Sequence, residues 1–348
     1  MFDSQNFHNH ESVHFFSDEK SGLKAIIAIH NTARGPAAGG TRLWTYKTPQ
    51  SALEDALNLS RAMSFKNAMA DIPFGGGKAV IMRPEGEFDR EALFSAYGRA
   101  VESLGGVYCT AEDVGVSTAD MEIVRRETAY VGGLDTGEAA SGDPSPVTAE
   151  GVFRGLHVAA ASALGSKSLS GVKVAVQGLG HVGYSLCEKL HKAGAELWVA
   201  DINSSAVERA HDELSACIVE PAVIHQQNVD IFAPCALGGA VSPSTINDIK
   251  AKVIGGAANN QLSVPEMGSE LLSKGILYCP DYVINAGGII NIASELSGTY
   301  SPDWVDGKLR GLKATLKDVF VKADKETRAT NLVADEMAVK RINAGSHT

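Results

Sequence analysis

The sequence predicts an α/β protein of two domains, with a parallel, doubly wound sheet in the second. Three observations carry this expectation. Strand-like and helix-like segments alternate along most of the 348 residues. A glycine fingerprint stands between a strand and a helix near the middle, and a small polar stretch, Thr136 to Pro146, separates two stretches of domain size. The composition, 44% hydrophobic and 21% charged, supplies both a core and a solvated surface. Glycine is frequent, at 36 residues, yet follows no G-X-Y period, so it is expected in turns and close backbone approaches. The formal net charge of −10, without any basic block, argues against nucleic acid and anionic membranes as partners. No apolar run reaches the roughly 18 residues of a membrane span. The opening stretch, Met1 to Lys20, is polar and mildly acidic, unlike a secretory signal. Five scattered cysteines without a C-x-x-C read as reduced core residues, which fits a cytoplasmic protein.

Taken in order, Leu23 to His30 is a β-branched run suited to a strand, and Gly35 to Gly40 reads as a loop that lets another group come close. Thr48 and Pro49 are an N-cap and first helical residue, opening a helix to about Met69. Gly75-Gly76-Gly77-Lys78 leads into a short strand, AVIM. A helix from Asp89 stops at Gly105-Gly106, the strand VYCT delivers Ala111-Glu112-Asp113, and Ser117 with Asp120 begins another helix. Beyond the linker, a helix over about Val147 to Leu164 precedes the strand VKVAVQ. AELWVAD, VDIFAPCAL, KVIGGAA and ILYCPDYV then alternate with helices. The tail from Ser301 is helical, with Thr330 as a cap before a last helix to about Asn343.

Gly178-Leu179-Gly180-His181-Val182-Gly183 follows VKVAVQ directly and opens a helix. In that context the glycines serve a tight turn, approach to a pyrophosphate, and helix–strand packing, and the helix N-terminus favours phosphate. The next strand ends in Asp201, 23 residues after Gly178, and the four residues that follow, Ile202 to Ser205, include no arginine. An acid there accepts from a ribose 2′-hydroxyl and repels a 2′-phosphate, so NAD is expected over NADP. Lys66 and Lys78 bracket the triple glycine. They are either solvated charges or, if held close together, a carboxylate anchor and a base of lowered pKa. Asp113 follows a strand at the edge where α/β sheets carry functional groups.

In order along the chain, GPAAGGTR, PFGGGK, TAEDVG, DPSPVTA, QGLGHVG, GGAANNQL and VINAGG together resemble the Glu/Leu/Phe/Val amino-acid dehydrogenase family, in its shorter leucine/phenylalanine branch. The resemblance covers nearly the whole chain. It implies a substrate-binding domain over residues 1–138, a Rossmann-type NAD-binding domain over 139–327, a cleft between them, and a C-terminal helix, 328–348, packed back on the first domain. It also implies roles: Lys66 for the substrate carboxylate, Lys78 as the catalytic lysine, and Asp113 as the acid that moves a proton to and from the amino group. Asn260, Gly39 and Gly40 go with the substrate. Thr148, Asn259 and Asn285 join the fingerprint residues, Asp201, Ala236 and Leu237 around the cofactor. The implied reaction is reversible oxidative deamination. Hydride leaves the α-carbon for the nicotinamide, water activated by Lys78 attacks the iminium, and a 2-oxo acid and ammonia result. A homo-oligomer is implied as well.

The side-chain pocket implied by the resemblance is lined by Ala38, Ala111, Ile289 and Ile292. Ala38 opens it and the two isoleucines close it again, which favours leucine and branched-chain substrates, with phenylalanine or tryptophan as the alternative. A non-catalytic NAD-binding protein on the same fold would have lost Lys78 or Asp113. A hydroxy-acid dehydrogenase would need a histidine in a site segment. His8, His10 and His14 lack acidic or cysteine partners at ligand spacing, so no metal is expected and the three are read as solvated. Cys109 and Cys235 have no base beside them, and Trp304 is read as packing.

Overall fold

A computed structural model describes residues 4–137 and 140–345 of the chain. Glu138 and Ala139 of the expected linker, and Ser346 to Thr348 of the expected last segment, lie outside the described residues. The chain forms two compact units, Met1–Pro144 with Ile289–Val305 and Ala338–Thr348, and Ser145–Gly288 with Asp306–Met337. The division therefore falls at Pro144/Ser145 instead of 138/139. Ile289–Val305 belongs to the first unit, and of 328–348 only the part from Ala338 joins it.

The first unit runs β1 (Ser12–Asp18), β2 (Leu23–Asn31), β3 (Ala37–Trp44), α1 (Pro49–Met69), β4 (Gly75–Met82), α2 (Arg90–Glu102), β5 (Tyr108–Glu112) and α3 (Thr118–Arg125). Its sheet has the order β1-β2-β4-β3-β5 and is mixed. β3 is parallel to β4 and β5, whereas β1/β2 and β2/β4 are antiparallel. The strand β1 was not anticipated, since SVHFFSD has no flanking turn signal beyond Gly22, which turns at φ 72. Period-two alternation splits the sheet into two faces. Ile27, Ile29 and Ile81 meet Phe94, Tyr97 and Val124 of α2 and α3, while Ile26, Ala28 and Val80 meet Ala52, Leu53, Ala56 and Leu57 of α1.

Helix α1 begins as its sequence dictates, with Thr48 accepting from the Ser51 N–H and Pro49 in the first turn. Gly39 and Gly40, read as part of a loop, lie within β3, and the strand expected at AVIM begins earlier, with the triple glycine inside β4. Glycine weakens an isolated strand, but here packing overrides that preference. A Cβ on Gly76 would stand 2.1 Å from the Ser64 backbone nitrogen, so only glycine lets α1 lie this close to β4. The returning C-terminal segment is tied to the same helix, because Arg341 donates to the Ala68 and Met69 carbonyls at its end.

The second unit contains α4 (Ser145–Ala163), β6 (Lys173–Gln177), α5 (His181–Lys192), β7 (Glu196–Ala200), α6 (Ser204–Leu214), β8 (Cys217–Ile218), β9 (Ile231–Pro234), β10 (Val253–Ile254), α7 (Met267–Ser273), β11 (Leu277–Tyr278) and α8 (Asp281–Ile284). Then follow α9 (Gly287–Leu296), α10 (Pro302–Glu326) and α11 (Thr330–Ala344), parts of which belong to each unit. The six strands are all parallel, in the order β11-β10-β9-β6-β7-β8. Counted from β6 this is the doubly wound dinucleotide-binding order, whose direction reverses between β6 and β9. The strands expected from KVIGGAA and ILYCPDYV are only two residues long. Gly255 and Gly256 pack against Cys279 and Pro234, and Pro280 ends the second strand and caps α8.

Candidate active site

Residues paired in register share a face of a parallel sheet. Ala38 pairs with Gly76 and with Cys109, and Gly40 with Ala111. Two-residue steps then place Ala38, Gly40 and Arg42 of β3, Gly76 and Lys78 of β4, and Ala111 of β5 on one face. That face is the one covered by α1. Asp113 continues it just past β5.

Three charges meet there. The Lys78 ammonium, buried at 5% exposure, donates to Asp113 Oδ2 at 2.6 Å. Arg42 donates from Nε to the same oxygen at 3.3 Å and from Nη1 to Asp55 at 3.0 Å. Tyr46 completes the chain, donating to Asp55 at 2.5 Å. Burial works to raise the Asp113 pKa, but the Lys78 charge and hydrogen bond, with Arg42 behind them, outweigh it and hold the carboxyl below its ordinary range. Burial likewise opposes the charge on Arg42, yet Asp113 and Asp55 raise its pKa. Arg42 was missed in the sequence, although it sits in GPAAGGTR two residues after Gly40. The available signal was strand alternation, which puts it on the face of Gly40.

Lys66 is half-buried in the last turn of α1. Met63, one turn earlier, lies against Gly39, whose hypothetical Cβ would be 3.1 Å from Met63 Cγ. Gly39 and Gly40 have structural reasons to be bare: a Cβ would strike the Gly77 and Glu112 carbonyl oxygens, respectively. Ala38 and Ala111 are buried in the sheet, and Ile289 and Ile292 are buried on α9. His10 corrects the reading as solvated. It is buried, with Nε2 in hydrogen-bond contact with the Leu57 carbonyl and the Ser60 hydroxyl.

In the second unit the fingerprint lies at the switch point, where Gln177 and Pro234 pair at the carboxyl ends of β6 and β9. Gly178 turns at φ 100, and a Cβ there would be 2.8 Å from Ala236. Gly183 seats α5 against the Gly178 carbonyl. At Gly180, the N-cap of α5, nothing lies within 4 Å of the missing side chain. Open space at a helix N-terminus is what a pyrophosphate requires. His181 and Val182 begin the helix. Asp201 follows β7 and is oriented by the Leu179 N–H at 2.5 Å and the Asn203 N–H at 2.8 Å.

Asn285, 5% exposed, donates to Asn259 Oδ1 at 2.8 Å and to the Ala257 carbonyl at 3.1 Å. Its own Oδ1 is buried without a partner, an acceptor that costs about 1–3 kcal/mol unless a ligand or water supplies a donor. Thr148 lies in the first turn of α4, beside Gly287. Ala236 and Leu237 are exposed beyond β9. Asn259 and Asn260 are exposed too, Asn260 at φ 52 with its carbonyl accepting from Gly239. The open N-terminus, the oriented acid and the orphaned acceptor fit a bound dinucleotide. Among the described residues no cluster of histidine, cysteine or acidic groups suited to a metal occurs, and no helix is long and apolar enough to cross a membrane.

Residues 10–130 match the family model for the Glu/Leu/Phe/Val dehydrogenase dimerisation domain, and residues 199–346 match that for Glutamate/Leucine/Phenylalanine/Valine dehydrogenase. The chain is 49% identical to the leucine dehydrogenase of Geobacillus stearothermophilus over 98% of its own length and 93% of the relative's. It is 45% identical to an L-tryptophan dehydrogenase of Nostoc punctiforme over 99% and 96%. The crystal structure of L-tryptophan dehydrogenase from Nostoc punctiforme superposes with a TM-score of 0.85 at 43% identity, covering 97% of this chain and 96% of that one.

Proposed function

The chain belongs to the Glu/Leu/Phe/Val dehydrogenase family, and from that premise we propose that it catalyses the reversible, NAD-dependent oxidative deamination of an apolar L-amino acid, leucine or another branched-chain substrate first, to the 2-oxo acid and ammonia. The observation that carries this reading is the ion pair of the buried Lys78 with the half-buried Asp113 on the α1 face of the first sheet. Phenylalanine or tryptophan is the second reading, favoured by the small Ala38 and by the similarity to the Nostoc enzyme.

In this scheme Lys66 anchors the substrate carboxylate as a point charge. Asp113, kept ionised by Lys78 and Arg42, takes a proton from the substrate ammonium and leaves the amine free to push electrons toward the α-carbon. A nicotinamide cofactor, when bound, supplies the hydride acceptor. Lys78 then manages the proton of the water that attacks the iminium carbon, and the carbinolamine expels ammonia. Ala38, Ala111, Ile289 and Ile292 form the wall of the side-chain pocket. Asn260 assists the substrate, while Thr148, Asn259, Asn285 and the fingerprint backbone, with Ala236 and Leu237 beyond β9, hold the cofactor. Asp201 would select NAD by accepting from the ribose hydroxyl. A carboxylate hydrogen bond of that kind is worth about 1.5–3 kcal/mol, so Asp201→Ala should erode the NAD preference by about tenfold or more.

Lys78→Ala tests the chemistry. Turnover of leucine should fall by about a hundredfold or more, while NAD affinity measured by calorimetry stays nearly constant, because the fingerprint lies in the other unit. Loss of NAD affinity together with activity would make Lys78 structural.

A further inference from the structure

Glu295 is a carboxylate buried at 4% exposure near the end of α9. Its Oε2 accepts from the Gly133 N–H at 2.9 Å and the Ser141 hydroxyl at 2.8 Å, and its Oε1 accepts from the Leu134 N–H at 3.1 Å. All three partners are N–H or O–H donors and none is a cation. Removing a carboxylate from water is costly, and these charge-assisted bonds are what offsets it here. Residues 132–134 carry no regular secondary structure after the bridge at Val131, and the Gly133 and Leu134 amides take their acceptor from α9.

The grip has a geometric consequence. Ile289, Ile292 and Glu295 follow at three-residue steps on α9, so Ile292 neighbours both of the others on the helix surface. Ile292 lies against Gly132, the residue before the first amide that Glu295 holds; a Cβ on Gly132 would be 3.0 Å from Ile292 Cγ2. Gly132 in turn donates to the Thr110 carbonyl at 2.9 Å, and Thr110 precedes Ala111 on β5. One short chain of contacts thus links Ile292 to Ala111, and Glu295 clamps it. All of these groups belong to the first unit.

We propose that Glu295 is a positioning residue that fixes the isoleucine wall of α9 against β5 and so sets which apolar side chains the substrate pocket admits. The proposal rests on the reading of Ala111, Ile289 and Ile292 as pocket residues given under Proposed function. Holding the wall in place excludes bulk; releasing it lets a larger side chain enter.

The test compares Glu295→Gln and Glu295→Asp with the unmodified chain. An amide presents an NH2 to one of the two held N–H groups, so Glu295→Gln breaks the bond to Gly133 or to Leu134 while keeping its size. The leucine-to-phenylalanine ratio of kcat/KM should shift toward phenylalanine by about fivefold or more, with the KM for NAD unchanged. Glu295→Asp keeps both acceptor oxygens and should retain more of the leucine preference. Hydrogen exchange at the Gly133 and Leu134 amides gives a readout without turnover: slow in the unmodified chain, faster in Glu295→Gln. Equal loss on both amino acids, identical behaviour of the two variants, or fast exchange in the unmodified chain would overturn the proposal. If the unmodified chain turns over no amino acid while those amides stay protected, the dehydrogenase reading fails and the selectivity role fails with it, leaving a purely structural tether.

Discussion

Asp113 holds one negative charge between two cations, Lys78 at 2.6 Å and Arg42 at 3.3 Å. Their attraction exceeds the cost of burial and lowers its pKa, so the carboxylate persists as pH falls past the range where an ordinary carboxyl would protonate. A base that must be ionised loses function as pH falls through its folded pKa. Weakening the cationic surroundings should therefore move the acid limb of the pH–rate profile upward. Arg42→Gln is expected to do this for kcat/KM with leucine, at unchanged KM for NAD. An acid limb at the unmodified pH would mean that Arg42 does not act through Asp113. The sequence singled out Lys78 at the end of PFGGGK and Asp113 within TAEDVG, and the structure brings their charges together; their catalytic roles are our proposal. Arg42 was not singled out, because reading Gly35 to Gly40 as a loop hid the strand alternation that puts it on the face of Gly40.

At the scale of elements, α1 explains both a misreading and a pH dependence. The strand at AVIM was expected to begin after the triple glycine, because glycine is a poor strand former, whereas β4 begins at Gly75. The contact that makes glycine necessary, Gly76 beneath Ser64, joins residues of a helix and a strand and leaves no local trace. The caps of α1, α2 and α3 are local side-chain-to-backbone bonds and were legible at Thr48, Asp89 and Ser117. On the same helix, Ser64 bonds to His30 Nδ1 at 2.7 Å, and His30 packs edge-on to His10. Burial, then the neighbouring His10, lowers the His30 pKa to about 4. The unfolded chain therefore takes up this proton first, and stability falls as pH drops from about 6.5 toward about 4. The loss attributable to His30 should be about 2 kcal/mol after allowance for its partial exposure. Chemical denaturation of His30→Gln across this range should show a shallower decline than the unmodified chain. Parallel declines would remove His30 from the account.

For the whole molecule, the alternation of strands and helices foretold the parallel second sheet but not the antiparallel half of the first, because period alone does not record strand direction. The boundary at 138/139 implied by the resemblance lies inside the Thr136 to Pro146 linker that composition marks, as does the division at Pro144/Ser145. The actual division follows packing, which draws Ile289–Val305 and the end of α11 into the first unit from far along the chain. Assembly as a homo-oligomer remains our proposal, motivated by the edge position of β1 and its exposed Phe15. The central claim is that one unit carries a proton-transfer pair for an apolar amino acid and the other carries an NAD fingerprint. Its most direct test is reduced-cofactor formation by the purified chain across the proteinogenic L-amino acids, each with NAD and with NADP, scored as kcat/KM. The account predicts turnover with NAD that is highest for leucine and its branched-chain relatives, lower for phenylalanine and tryptophan, and absent for charged side chains. Turnover of none of them, or equal use of charged and apolar substrates, would contradict it.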